Sequence, residues 1–109
     1  MIRTLTILKQ ARKLITSARK WTKYRAAVDE NDVPCDPASR KAARWCAIGA
    51  IQRAAYERRV QSSPYAAIEA LKDVLPRGAY QISQVNDELG HRATLQLFDR
   101  AIKRTEKRR

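Results

Sequence analysis

The side chains best suited to chemistry lie late in the chain, where Asn86, Asp87 and Glu88 precede His91, the sole histidine. A carboxylate four residues from an imidazole suits acid–base catalysis when both groups face a substrate. Asn and Asp ahead of a helix also fold back on backbone N–H groups as caps or Asx-turns, and that role explains the pair without a reaction. Zinc would have to recruit Cys35, Cys46, His91 and a carboxylate, with no CxxC or HxxxH pair to seed the site. The cysteines read instead as ordinary thiols, Cys46 packed in a helix, and two are too few for a disulfide framework. The chain has no Gly-rich phosphate loop and no nucleophile signature. No catalytic residue, metal or cofactor is therefore expected, and an enzyme centred on Asp87 and His91 stands as an alternative reading.

Charge is the larger signal. Lys and Arg number 23 against 11 acids, a net charge of +12, beyond the magnitude of about 2–8 that keeps small domains soluble. Eight of the basic residues fall in positions 1–28, which contain no acid. Placed on a helix, Lys9, Arg12, Lys13, Thr16, Arg19, Lys20 and Lys23 share an arc of about 120° opposite an apolar stripe. Cations spread along one surface grip phosphates, so Lys9, Arg12, Lys13, Arg19, Lys20 and Lys23 are the candidate nucleic-acid or anion-binding residues; the plain alternative is a solvated face. The C-terminal cluster of Arg100, Lys103, Arg104, Lys107, Arg108 and Arg109 is explained by the helix dipole alone. Tyr24, between Lys23 and Arg25, is the one aromatic set among cations.

Periodicity supplies the elements that must position these groups. Leu8, Ala11, Ile15 and Ala18 recur at three- and four-residue steps, with Ile7, Leu14 and Trp21 widening the stripe, and predict a helix over about 4–24. The acids Asp29, Glu30, Asp32 and Asp36, with Asn31, Pro34 and Pro37, make an acidic loop over 29–36. A second helix is expected from an Asp36 or Ser39 cap to about Arg59, broadly apolar and hence central; Gly49 in its middle suggests a second backbone close by. Ser63-Pro64 opens a third helix with Tyr65, Ile68, Leu71 and Leu75 inward, stopped by Pro76. Tyr80, Ile82 and Val85 alternate with polar neighbours as in a short extended segment. A last helix runs from His91 or Arg92 to Lys107, with Leu95, Phe98, Ala101 and Ile102 inward. Trp21, Trp45, Phe98 and most of the tyrosines fall on inner stripes and read as core. The expected fold is all-α: a compact single helical domain over residues 1–109, about four helices with irregular loops. No apolar run reaches the roughly 18 residues that cross a bilayer, so no membrane partner and a cytoplasmic location are expected.

Trp21, Asp36-Pro37, Trp45-Cys46, Gly49-Ala50, Asn86-Asp87 and Phe98-Asp99-Arg100-Ala101-Ile102 occur in an order that resembles a family of small bacterial and phage proteins grouped as a domain of unknown function. The resemblance spans nearly the whole chain, with Val85 standing where the family tends to carry an aromatic residue. It implies a shared fold and a phage or mobile-element origin, and carries over no reaction or catalytic residue. The function expected from the residues is a small basic, non-catalytic binding module that docks on nucleic acid or on an acidic protein surface. The rival to it is a phage or mobile-element accessory protein that binds and modulates a host protein.

Overall fold

Apolar side chains at helical spacing in the first fifteen residues build the centre of the protein. The computed structural model describes residues 2–58 and 63–108, and its first element is helix α1 (Ile2–Leu14). Leu5, Ile7, Leu8, Ala11 and Ile15 are buried, as the spacing predicts, and α1 packs against three other helices. A single 3-10 turn (Ala18–Lys20) follows, then strands β1 (Ala27–Val28) and β2 (Arg44–Trp45), and helices α2 (Ala47–Glu57) and α3 (Tyr65–Lys72). Helix α4 (Ile82–Gln84) widens into a π-helical turn over Val85–Leu89, and α5 (His91–Lys107) completes the described chain. The fold is mostly helical, and two expectations need correction: α4 adds a fifth helix, and β1 and β2 pair antiparallel as Ala27 with Trp45 and Val28 with Arg44. The segment expected to be extended near Ile82 is the helical one.

Helix α1 ends ten residues before Tyr24, and the reason lies in hydroxyls and one imidazole. Thr16 donates its hydroxyl to the Arg12 carbonyl at 2.9 Å, and Ser17 accepts the Arg19 N–H at 3.2 Å, local bonds that compete with helix continuation. His91 Nε2 lies 2.7 Å from the Ile15 carbonyl oxygen, one of the acceptors a helix leaves unpaired at its C-terminus. Ala18, expected in the core, is exposed.

The second helix is shortened at its other end. Asp36 does cap, but it caps a turn, accepting the Ala38 N–H at 2.7 Å, and Ser39 accepts the Lys41 N–H at 3.1 Å. The Pro37 carbonyl receives Trp45 Nε1 at 3.0 Å and Arg53 Nη1 at 3.1 Å, and Ala43 donates to the Val28 carbonyl at 2.8 Å. Tertiary partners thus consume backbone groups that a helix through 37–46 would need. Trp45 is core, as expected, but on β2; α2 is broadly buried and packs against α1, α3 and α4. The expected end of the second helix at Arg59 lies outside the described residues, as does Arg109 of the tail.

Gly49 meets its expected neighbour. A Cβ at this position would fall on the Ala26 carbonyl, 2.7 Å from its carbon and 3.2 Å from Ala26 Cα. That carbonyl also accepts the Cys46 N–H at 3.1 Å, so the missing side chain lets the segment before β1 lie directly against α2. The third helix starts at Tyr65, where Ser63-Pro64 place it, but ends at Lys72, before Leu75 and its expected stop at Pro76; the last starts and stops where His91 and Lys107 place it. The tyrosines depart from expectation: Tyr24, Tyr56, Tyr65 and Tyr80 are all exposed, while Trp45 and Phe98 are buried and Trp21 is half-buried. A phenol tolerates water at its polar end, so helical spacing alone does not force the ring inward.

Candidate functional site

Two neighbouring regions gather the polar residues. The first centres on Asn86, whose side chain is 1% exposed and makes four hydrogen bonds. Its Oδ1 accepts Trp21 Nε1 at 2.8 Å and the Ala47 N–H at 3.0 Å. Its Nδ2 donates to the Thr22 carbonyl at 3.0 Å and to Asp87 Oδ1 at 3.0 Å. Asp87 Oδ1 also accepts the Tyr24 N–H at 2.9 Å. The Asn-Asp pair therefore satisfies backbone N–H groups as expected, but across the fold rather than in the turn that follows it. Ala47 opens α2, so Asn86 acts as a cap supplied from a distant segment; Cys46 Sγ takes a second N–H of the same end, that of Gly49, at 3.3 Å.

The residues of the catalytic alternative have these structural partners. With Nε2 donating to a carbonyl, His91 packs its ring on Trp21, centroids 5.3 Å apart, and no hydrogen bond joins it to Asp87. A cavity of about 220 Å³ is lined by Tyr24, Arg25, Cys46, Ile48, Ser83 and Asp87, among others, but not by His91. The Cys46 thiol within it is pushed up from its ordinary value, chiefly by burial and with the Asp87 charge adding to it, against the opposing N–H bonds of Gly49 and Ile48. It is held as a neutral thiol at neutral pH. Cys35 is likewise pushed up, first by desolvation and then by the charges of Asp29 and Asp36. No group of three or more metal-ligating side chains occurs among the described residues.

The second region is a cleft of about 790 Å³, wedged between the 3-10 turn, the acidic loop and the approach to β2. Arg19, Lys20, Arg40, Lys41 and Arg44 line it, opposed by Asp29 and Glu30. Arg44 is paired with Asp32 at 2.7 Å and donates to the Asp29 carbonyl at 3.2 Å. Asp29 builds its own turn, accepting Asn31 and Val33 N–H groups at 2.8 and 3.0 Å. Among the described residues Arg19, Lys20, Arg40 and Lys41 make no ion pair. They are exposed and so keep their charge available to a partner.

The six candidates from the first segment are not brought to one face. Lys9 pairs with Glu106 at 3.2 Å, and Arg12 grips Asp99 with two N–H groups, at 2.8 and 3.3 Å. Both belong to the seam between α1 and α5, and the bond to Asp99 strengthens the hold of Arg12 on its proton. Lys13 is exposed on the last turn of α1 and faces a smaller cavity that it shares with Lys20. Arg19 and Lys20 turn into the cleft, and Lys23 lies over the Tyr24 ring at 5.6 Å. Arg40, Lys41 and Arg44 are the contributors missed by the sequence reading. Their visible signal was three cations within five positions directly after the acidic loop, masked by reading that stretch as a helix start.

Together these features define a small, mostly helical, strongly basic protein whose loops are tied by a buried asparagine beside a cationic cleft. The chain belongs to the family of unknown function DUF6197, whose profile matches residues 1–104. No curated protein and no solved structure matches it. No helix among the described residues is long and apolar enough to cross a membrane.

Proposed function

We propose that this protein is a binding module for nucleic acid, which it takes by the phosphate backbone along the cleft between the 3-10 turn and β2. The observation that carries the reading is the cleft itself: Arg19, Lys20, Arg40 and Lys41 converge there without ion pairs, on a chain of net charge +12. Phosphate contacts of this kind give affinity without sequence readout. The reading is one of binding rather than catalysis, since Asp87 Oδ1 and His91 Nε2 each engage a backbone partner elsewhere in the fold and no hydrogen bond joins the two side chains.

Fluorescence anisotropy with a labelled 20-base-pair duplex, titrated at several salt concentrations, tests it. The log–log slope is expected to track the phosphates neutralised, about 0.9 each on duplex DNA. Replacing Arg19, Lys20, Arg40 and Lys41 together by Ala should flatten that slope by about 3.6, while Arg12→Ala, at the α1–α5 seam, should leave it nearly unchanged. Absence of binding at low salt refutes the reading; capture of an acidic protein by a chain that binds no nucleic acid replaces it with the protein-partner alternative.

A further inference from the structure

Tyr24 is 70% exposed yet sits at φ +72°, a backbone conformation that strongly disfavours a bulky side chain and suits glycine. The surrounding structure fixes it there, because Asp87 Oδ1 holds the Tyr24 N–H at 2.9 Å and Asp87 is itself held by the buried Asn86. The ring buries little and contributes little to the core. Strained residues of this kind persist where the rest of the fold over-determines them, and they cluster at binding sites. What the strain achieves here is an aromatic ring presented to solvent from a fixed backbone, with the Lys23 ammonium 5.6 Å from its centroid and Arg25 next in sequence. Tyr24 follows Lys20, which lines the cationic cleft, by four residues, at most about 14 Å of chain. A strand whose phosphates lie in the cleft can reach the ring within a few nucleotides.

Resting on the phosphate-binding reading above, we infer that Tyr24 is a stacking platform for an unpaired base, so that the preferred ligand is single-stranded nucleic acid. A base has a π-face whatever its identity, and stacking on an exposed aromatic beside cations is the way proteins hold single strands without reading sequence. A duplex keeps its bases stacked on one another and offers the ring nothing comparable, so it meets the cleft alone.

The test compares the parent, Tyr24→Phe and Tyr24→Gly by anisotropy on a labelled oligothymidylate and on an abasic oligomer of equal length and charge. Glycine suits φ +72° and removes the ring, so Tyr24→Gly is expected to fold; thermal melting verifies this, and Tyr24→Asn, which also tolerates the conformation, provides a second ring-less variant. Parent and Tyr24→Phe are expected to bind oligothymidylate alike, and Tyr24→Gly about tenfold or more weakly. On the abasic oligomer all three are expected to be equal. On the unsubstituted protein, photocrosslinking of the strand carrying 4-thiothymine is expected to label residues 23–25. Equal affinity of parent and Tyr24→Gly for oligothymidylate, with salt-dependent binding intact, overturns the stacking role and leaves the cleft reading standing. Crosslinks confined to other segments overturn it as well, whereas loss of binding by the parent to every anion removes the cleft reading itself and the platform with it.

Discussion

Gly49→Ala tests the packing of the molecule at its tightest point. The new Cβ would overlap the Ala26 carbonyl oxygen outright and lie 2.7 Å from its carbon; comfortable contact between carbons begins near 3.5 Å, so the two backbones must part by more than about 1 Å. The displaced carbonyl is the one that accepts the Cys46 N–H at 3.1 Å; losing that bond costs about 1 kcal/mol, and up to about 3 where the donor stays dry. Overpacking adds about 1–3 kcal/mol, and alanine returns about 1 kcal/mol through better helix propensity. The balance is a net loss of about 3 kcal/mol, a large share of the roughly 5–15 kcal/mol that holds a domain folded. For a chain of this size that lowers Tm by about 10–20 °C. Circular dichroism melts, supported by urea titration with an unchanged m-value, measure it. A Gly49→Ala protein that melts at or above the parent temperature would refute the close approach, because only propensity would then remain.

Asn86→Ala should cost about 3–5 kcal/mol, since it strands Trp21 Nε1 and the Ala47 N–H, both bonded to its Oδ1; urea unfolding that differs from the parent by under 1 kcal/mol contradicts its role as the tie. A double-mutant cycle on Arg12 and Asp99 should give a coupling of about 1 kcal/mol or less, because the Asp99 side chain is half exposed. Glu30→Gln should raise nucleic-acid affinity a few-fold at low salt, since it removes one of two acids from the cationic cleft; an unchanged or weaker affinity places the ligand elsewhere. The folded Cys46 thiol lies above its unfolded value, so its contribution to stability is present below the unfolded thiol pKa of about 8.5 and fades as pH rises through the higher folded one. Iodoacetamide at pH 8 should accordingly label Cys46 far more slowly in the native protein than in urea, with mass spectrometry as the readout and equal rates as the contrary result.

Spacing along the chain determined which side chains build the core where the pattern was long and locally consistent. Leu8, Ala11 and Ile15 on α1 and Phe98 and Ala101 on α5 are buried because helical periodicity and hydrophobic burial point the same way. Gly49 was legible for a related reason: a glycine inside a helix is unfavourable unless something needs the space, and the Ala26 carbonyl does. The composition likewise established an excess of positive charge, though not the surface that would present it. Tertiary structure decided the rest. Whether positions 16–24 and 37–46 continue a helix depended on partners far away in sequence: His91 on the Ile15 carbonyl, Asn86 on Trp21 and Ala47, and Arg53 and Trp45 on the Pro37 carbonyl. Local propensity differences amount to a fraction of a kcal/mol per residue, whereas a buried donor or acceptor left unpaired costs about 1–3, so the distant partners win. That same outcome moved Arg19 and Lys20 off the expected face of α1 and set them beside Arg40 and Lys41, a grouping that no spacing in the sequence encodes.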